Sequence, residues 1–321
     1  MIRFAHPCGA ALQAVYLCFA PVPAVRDRVA QEVVRLLLQP IFEPLFHDCS
    51  YGFRPGRNCH QAIQAALDLH SKGHRFVLDA DIKGFFDQIG HSVIMRAVAQ
   101  EIADGNILGI IEKFLRAGVM EDGVFKPTNI GTPQGGVISP LLANIALNRL
   151  DHALEEAGYR FVRYADDFLV ICSSKTQAEE ALAFVERILK DLGLQLNSEK
   201  TKVTSFKEGY AFLGFVLKPT SRKMREKSER KFKDKIRQLT KRKENFESQK
   251  VIEKLNRVIR GTGGYFGAEF ATSSYQFRRL DEWIRMRLRC MKFKRKSDFN
   301  NHRMKTKSFD ELGLLHLQSY A

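Results

Sequence analysis

Four aspartates in two short apolar segments are the residues of this chain best suited to chemistry. Asp166 and Asp167 interrupt one apolar segment, and Asp79 and Asp81 lie near the end of another. Two β-prone runs around an acidic pair predict a hairpin with the aspartates at its turn. Like charges repel at such a turn, and a divalent cation would remove the conflict. A solvated Asp-Asp turn is the alternative, because aspartate is common in turns.

The second acidic segment indicates which metal would suit the site. Side chains alternate across a strand, so Asp79 and Asp81 share a face, and a third carboxylate meets the hairpin tip if the strands are neighbours. Carboxylates without nearby cysteine or histidine suit a hard ion such as Mg²⁺. Two such ions, about 3.5–4 Å apart, support in-line phosphoryl transfer in polymerases and nucleases.

Helices and strands alternate through the first two thirds of the chain. Hydrophobic periodicity predicts a helix over residues 25–38, with Val29, Val33, Leu36 and Leu37 facing inward. Further helices are predicted over residues 59–70, 92–115 (broken near Gly105 and Gly109), 139–157 and 175–192, and strands over residues 75–82, 203–206 and 212–217. Together with the acidic hairpin, this order predicts an α+β body on an antiparallel sheet.

Beyond Pro219 the composition changes to helix-forming and charged residues. The pattern predicts three helices over residues 229–247, 251–260 and 275–293, with a break at the glycine-rich segment 261–264. Residues 222–307 contain 28 Lys and Arg against 10 Asp and Glu, which places the whole positive excess of this +15 chain in its C-terminal third. Such a distribution is typical of a module that binds a polyanion.

Composition also bears on membranes and redox state. No apolar run approaches the ~20 residues needed to span a bilayer, and the basic third lacks a sustained Trp- and Leu-rich face, so we expect no membrane partner. Six scattered cysteines show no paired spacing. This argues against a zinc site or a disulfide framework and favours a reducing compartment such as the cytoplasm.

Four segments, in their order along the chain, resemble sequence boxes of reverse transcriptases of the group II intron type. They are residues 50–57 (SYGFRPGR), 78–87 (LDADIKGFFD), 131–144 (GTPQGGVISPLLAN) and 164–167 (YADD). Residues 255–266 and 280–290 resemble the thumb, or maturase (X) domain, of the same branch. The resemblance implies a right-hand polymerase with partial fingers, an antiparallel-sheet palm and a helical thumb.

The same resemblance divides the chain into four parts. Residues 1–22 form an unmatched N-terminal segment, 23–222 the partial fingers and palm, 223–296 the thumb, and 297–321 a basic, loop-like C-terminal tail. Relatives carry a basic finger segment where this chain has residues 1–22, whose only Lys or Arg is Arg3. We therefore expect a truncated or rearranged copy with weakened polymerase activity, because charge-assisted phosphate contacts position the triphosphate.

Site residues follow from the matched boxes. The resemblance implies that Asp81, Asp166 and Asp167 hold two Mg²⁺ ions, with Asp167 less central. Phe86 would exclude a 2′-hydroxyl beneath the nucleotide sugar, although Phe85 and Phe86 also suit a core. The remaining substrate contacts would be Arg54 with phosphate or template, Gln134 and Gly135 beside the nascent base pair, and Lys200 with pyrophosphate; the alternatives are solvated side chains and a plain Gly-Gly turn.

Nucleic-acid contacts are predicted on the basic residues. Arg57 would contact template in the fingers. A stripe at three- or four-residue steps would face a phosphate backbone, and it consists of Arg278, Arg285, Arg289, Lys292 and Lys296.

The resemblance implies an RNA-directed DNA polymerase that uses dNTPs, an RNA template and a DNA primer or target. Its further partner would be the intron RNA that encodes it, whose splicing and mobility it would aid. Two alternatives stay open from the sequence: a non-catalytic RNA-binding splicing factor, and a related reverse transcriptase recruited to phage defence or CRISPR spacer acquisition. The sequence indicates no oligomeric state.

Overall fold

The computed structural model describes residues 24–117, 119–121, 124–126, 130–132, 135–295 and 302–321 of the 321-residue chain. Three predictions fall on residues outside these ranges: the unmatched segment 1–22, Gln134 and Lys296.

Helices and strands alternate up to the thumb, as the sequence predicts. The helices are α1 (Val25–Phe42), α2 (Cys59–Ser71), α3 (Phe85–Gln88), α4 (His91–Ala99), α5 (Gly105–Arg116), α6 (Ser139–Glu156), α7 (Lys175–Asp191), α8 (Glu226–Leu239), α9 (Ser248–Phe266), α10 (Ser274–Phe293) and α11 (Thr306–Glu311). The strands are β1 (Phe76–Asp81), β2 (Val119–Glu121), β3 (Val124–Lys126), β4 (Arg160–Tyr164), β5 (Asp167–Cys172), β6 (Lys202–Ser205), β7 (Tyr210–Phe212), β8 (Phe215–Leu217) and β9 (Arg222–Met224).

The palm is a four-stranded antiparallel sheet in the order β4-β5-β1-β6. One face of this sheet, with Leu78 and Val170, packs against a core that includes α4, α6 and α7. The other face, with Val77 and Leu169, packs against α2 and the small β7-β8-β9 sheet. Successive side chains of a strand point to opposite faces of the sheet. Because both faces are buried here, the strand sequences are almost continuously apolar. The predicted α+β fold with an antiparallel palm is confirmed.

Helix α1 presents a different face to the core from the one predicted. Val34, Leu38 and Phe42, at i, i+4 and i+8, are buried. The four residues predicted to face inward are instead more than half exposed: Val29, Val33, Leu36 and Leu37. The helix also continues through Pro40 to Phe42. Helix α1 has two apolar stripes. Hydrophobic periodicity predicts that a stripe exists, but it does not predict which of two stripes packs against the core.

The thumb is helical, as predicted, but its C-terminal part is not a loop-like tail. Within residues 302–321, Phe309, Leu314 and Leu317 are buried in the same core as α8, α9 and α10. Helix α11 and a 3₁₀ helix at Leu317–Tyr320 complete that core. The described residues 302–321 therefore pack with the thumb helices, while the domain boundary at residue 297 stays a prediction.

The predicted break at residues 261–264 is also absent, since α9 runs through it to Phe266. The glycine at position 263 serves close packing: a Cβ there would lie 2.5 Å from the Tyr320 ring. The glycine therefore allows α9 to pack closely against the C-terminal segment, and it does not end the helix. Among the described residues, no helix combines the length and apolar character that a bilayer crossing requires.

Candidate active site

Three aspartates share one face at the end of the palm sheet. Asp81, the last residue of β1, lies directly opposite Asp167, the first residue of β5. Asp79 lies two residues back on β1, on the same face. Residues directly opposite in an antiparallel pair have Cβ atoms about 4.5–5.5 Å apart. The two acidic segments are therefore paired strands, which is the arrangement that a shared metal site requires.

The fourth aspartate, Asp166, lies in a two-residue turn between β4 and β5, since Tyr164 pairs with Asp167. Ala165, the other turn residue, has φ of 59°, which L-residues adopt only under constraint. Gly52 lies against the turn, because a Cβ at Gly52 would come within 2.4 Å of the Ala165 nitrogen. The loop of residues 50–57 therefore braces the turn that carries Asp166.

A buried polar network holds the same turn from the other side. Arg163 is fully buried, and its Nε and Nη2 donate to the Asp151 carboxylate of α6 at 2.7 and 2.5 Å. Its Nη1 donates to the Ala165 carbonyl and to Asn144 Oδ1, both at 2.9 Å. Asn144 in turn donates to the Gly52 carbonyl at 2.8 Å. Helix α6 is thus tied to both the turn and its bracing loop.

Burial and mutual repulsion make the aspartates difficult to ionise. Burial raises the pKa of Asp167 to about 7, with the charges of Asp79, Asp166 and Asp81 adding to the effect. Burial also raises the pKa of Asp79 to about 6, against the opposing effect of Lys202. The pKa of Asp166 is raised as well, first by burial and then by Asp81. A site that disfavours its own negative charges attracts cations.

Cationic side chains lie around these carboxylates. Lys200 donates to both Asp81 oxygens at 3.2 and 3.1 Å, which places the lysine predicted to contact pyrophosphate at the site. Lys202 lies opposite Asp79 in the β1–β6 pair. Arg225 lies at the junction of β9 and α8. Its charge opposes the rise in the pKa of both Asp79 and Asp167, and its Nε is buried without a hydrogen-bond partner among the described residues. The thumb junction therefore faces the palm carboxylates.

The donor set suits Mg²⁺, which prefers carboxylate oxygens. Among the described residues, no group of three acidic, histidine or cysteine side chains is close enough to hold an ion unaided. Mg²⁺ is usually held by one or two carboxylates together with substrate phosphates and water. Asp81 and Asp167, with Asp166 beside them, match that requirement, because the nucleotide would complete the coordination.

Neutralising Asp167 should stabilise the metal-free protein. Asp167→Asn removes a charge whose ionised form folding disfavours, so in chelator we expect an unfolding free energy about 1–3 kcal/mol higher. Urea unfolding would measure this, with Glu186→Gln on the exposed surface of α7 as the control, expected within about 0.5 kcal/mol. An Asp167→Asn protein less stable than the parent would contradict the electrostatic account.

Phe86 and the box around Gly135 lie on neighbouring segments. Phe85 is core, 2% exposed, whereas Phe86 is half-buried at the edge of that core. The Thr132 amide donates to the Phe86 carbonyl at 2.7 Å, so the segment that leads to Gly135 is fixed to the Phe86 turn. Gly135 has φ of 86°, a conformation that favours glycine. The assignments of Phe86 and Gly135 to nucleotide binding stay predictions.

The fold uses the side chain of Arg54, the residue predicted to contact phosphate or template. It is 7% exposed, and its three nitrogens donate to Glu43 and to the carbonyls of His47, Ser50 and Glu43. Arg57 is half-buried and donates to the exposed Asp48 carboxylate at 2.6 Å. Its contact with template stays a prediction.

The predicted basic stripe on α10 is not one open surface. Arg289 donates to the Met304 carbonyl at 2.8 Å and lies over the Phe309 ring. Arg285 contacts His316 Nδ1 at 3.3 Å. The C-terminal segment thus covers the middle of the stripe, while Arg278 and Lys292 at its ends stay exposed.

Sequence reasoning missed the residues that support the site. Arg163 had a usable signal: a charged residue inside an apolar strand needs a buried partner. The signal for Asn144 and Asp151 was weaker. They are two polar residues, seven positions apart, among the apolar positions of α6. Arg225 had none, since nothing distinguishes it among the many basic residues of the thumb.

Two protein families match the chain in consecutive segments. Residues 19–217 match the reverse transcriptase (RNA-dependent DNA polymerase) family, and residues 229–309 match the maturase-specific domain of group II introns. The two matches meet near the β9–α8 junction, where the palm gives way to the helical thumb.

Individual proteins and one solved structure are also similar to parts of this chain. Protein YkfC of Escherichia coli (strain K12) is 34% identical over 61% of this chain and 62% of its own length. The group II intron-encoded protein LtrA of Lactococcus lactis subsp. cremoris is 42% identical over 44% of this chain and 24% of its own length. Telomerase from Candida albicans, solved with a fragment of telomeric RNA, superposes with a TM-score of 0.47 at 16% identity, over 85% of this chain and 52% of that one.

The chain spans less than two thirds of the length of these relatives. The family assignment rests on the long match over residues 19–217, which includes all four aspartates of the palm. The chain therefore belongs to the reverse transcriptase family, and it carries the maturase-specific domain of group II introns.

Proposed function

We propose that this chain is an RNA-directed DNA polymerase of the group II intron type that uses Mg²⁺, and that it binds its intron RNA to aid splicing and mobility. The observation that carries the proposal is the cross-strand pair Asp81–Asp167 beside the Asp166 turn. The family match over the same residues supports a nucleotidyl-transfer role for the pair.

The reaction joins a primer to a deoxynucleotide. The primer 3′-oxygen bonds to the α-phosphorus of the dNTP, and the bond from that phosphorus to the pyrophosphate breaks. Bound Mg²⁺ would lower the pKa of the 3′-hydroxyl and neutralise the leaving charge. Asp81, Asp166 and Asp167 would hold it. The protein contributes mainly position, because phosphoryl transfer depends on alignment and charge stabilisation.

Lys200 would assist the leaving group. Its ammonium lies 3.1 Å from Asp81, within the acidic cluster where the pyrophosphate would form. An ammonium group has three donors that can reorient, so Lys200 can move from the carboxylate to a phosphate oxygen when substrate arrives. Donation of a proton to the pyrophosphate would then complete the exchange.

Phe86 should decide between deoxynucleotides and ribonucleotides. Because its ring is only half-buried, one edge can meet the nucleotide sugar and exclude a 2′-hydroxyl. We expect Phe86→Ala to lower the preference for dNTP over NTP at least about tenfold in kcat/KM. Phe184→Ala, a half-buried ring on α7 in the same core, is the matched control and should leave the preference unchanged. Equal preference in Phe86→Ala and wild type would exclude Phe86 as the selective residue.

Primer extension and RNA binding together test the proposed function. We expect extension of a DNA primer on an RNA template with dNTPs and Mg²⁺, and RNA affinity that falls steeply with salt because the thumb is strongly basic. Salt-sensitive RNA binding without extension would reject the polymerase and leave a splicing factor. If the chain extends the primer but binds intron RNA no more tightly than the template RNA, the intron-binding role would be rejected.

A further inference from the structure

The thumb has an open cleft between α8, α10 and β9. It encloses about 400 Å³ and is lined mainly by Lys223, Glu229, Lys233, Tyr275, Arg279 and Trp283. We call it the thumb cleft. It lies on the side of α10 where Tyr275, Arg279 and Trp283 follow one another at four-residue steps. The C-terminal segment contacts α10 elsewhere, through Arg285 and Arg289.

Tyr275 gives the thumb cleft an exposed aromatic surface. The residue is 63% exposed at the first turn of α10, which is unusual for a large aromatic side chain in a folded core-forming helix. The guanidinium carbons of Arg278 and Arg279 lie 5.3 and 6.0 Å from its ring centroid. An open ring between two cations offers a stacking face for a nucleobase and two contacts for its phosphates.

A second aromatic ring lies deeper in the thumb cleft and is also flanked by cations. Lys233 Nζ lies 5.9 Å and Arg237 Cζ 5.6 Å from the Trp283 ring centroid. Both cations come from α8, so this helix places two positive charges beside a ring of α10. The tryptophan packs partly against the thumb core, which fixes its orientation.

The thumb cleft carries a net positive charge, because three of its lining residues are cationic and only one, Glu229, is acidic. Glu229 accepts from Lys233 at 2.5 Å and from Gln276 at 2.6 Å. Among the described residues, Arg278 and Arg279 form no ion pair with a carboxylate, and Lys223 is exposed. Guanidinium groups outside any ion pair, beside an exposed aromatic ring, are complementary to an anion that also carries planar bases.

We propose that the thumb cleft binds an unpaired segment of RNA, with one base stacked on Tyr275 and the adjacent phosphates on Lys223 and Arg279. The proposal rests on the RNA-binding part of the proposed function and specifies where that binding occurs. The phosphates of a duplex could contact the cations, but its bases are stacked on one another and cannot stack on Tyr275. An acidic peptide would likewise leave the ring unused. Stacking on an exposed ring is the feature that selects an unpaired strand.

Fluorescence anisotropy with the full chain and an unpaired RNA of about 12 nucleotides tests the proposal. We expect Tyr275→Ala to bind this RNA about 5- to 100-fold more weakly, and Tyr275→Phe, which keeps the ring, to bind within about twofold of wild type. Because Tyr275 is exposed, neither change disturbs the core. Arg279→Gln should reduce the slope of log affinity against log salt by about 0.7, whereas exposed Lys190→Gln on α7 should not change it.

Three results would overturn the proposal. The first is equal affinity of wild type and Tyr275→Ala for the unpaired RNA. The second is an equal loss of affinity for a blunt RNA duplex of the same sequence, which would indicate phosphate contacts alone. The third is equal affinity and equal Tyr275 dependence for the corresponding single-stranded DNA. Primer extension is measured separately, so failure of the polymerase proposal would be distinguishable from failure of this one.

Discussion

Asp81→Asn is expected to reduce primer extension by more than about 100-fold, since even supporting partners of a metal ligand cost 10- to 100-fold when lost. Asparagine keeps the shape of the side chain but removes the charge that faces Asp167 across the β1–β5 pair. Single-turnover extension on a pre-annealed RNA template and DNA primer would measure the loss without contributions from product release.

Asp79→Asn provides a matched control on the same strand and face. Asp79 pairs with Leu169 across β5 and with Lys202 across β6, so it lies one step back from the hairpin turn. We expect this variant to retain a rate within about tenfold of wild type, because Asp79 would tune the charge of the site without holding the ion. If Asp79→Asn were as inactive as Asp81→Asn, the assignment of Asp81 as the ligand would be wrong.

The second large effect concerns the buried pair Arg163–Asp151. Asp151→Ala leaves the fully buried Arg163 guanidinium without its carboxylate, so we expect a loss of about 3–5 kcal/mol in unfolding free energy. The same change frees the guanidinium that holds the Ala165 carbonyl, so the turn carrying Asp166 should lose its fixed position. Urea unfolding and primer extension would report the two consequences separately.

A double variant separates the structural role of the pair from its role at the turn. Asp151→Leu with Arg163→Met replaces the ion pair by apolar side chains of similar volume, which often restores stability. We expect this variant to regain most of the unfolding free energy but not the activity, because no donor remains for the Ala165 carbonyl. Recovery of both would show that the network serves folding only.

Local patterns in the sequence were sufficient for the palm. The acidic hairpin and the strand that ends at Asp81 follow from period-2 alternation and turn chemistry, which act within a few residues. Pairing of β1 with β5 joins segments far apart in sequence, and the carboxylates they share indicated that neighbourhood. The register of that pairing, with Asp81 opposite Asp167, is visible only in the folded sheet.

Features that depend on long-range packing were not predictable. The buried face of α1 depends on Val34, Leu38 and Phe42 meeting the palm core, whereas an equally apolar stripe on the same helix remains exposed. From the sequence, Arg54 resembles a residue that contacts the template. In the folded protein its guanidinium instead forms an ion pair with Glu43. For Arg289, only the folded C-terminal segment reveals that its side chain packs on Phe309.

The charge of the thumb was predictable, but the part of its surface that stays open was not. A basic segment of this length predicts a polyanion partner from composition alone. Helical spacing then favoured the side of α10 that carries Arg285 and Arg289. The structure covers that side and leaves Tyr275 and Arg279 open on another, because apolar residues after position 302 need burial.

The most direct test of the central claim is primer extension by the wild-type chain on an RNA template with a DNA primer, dNTPs and Mg²⁺, with Asp81→Asn measured beside it. The account predicts extension by the wild type that a chelator stops, and none above background in the variant. Wild-type extension that persists in chelator, or equal extension by Asp81→Asn, would contradict the claim that these carboxylates carry metal-dependent DNA synthesis.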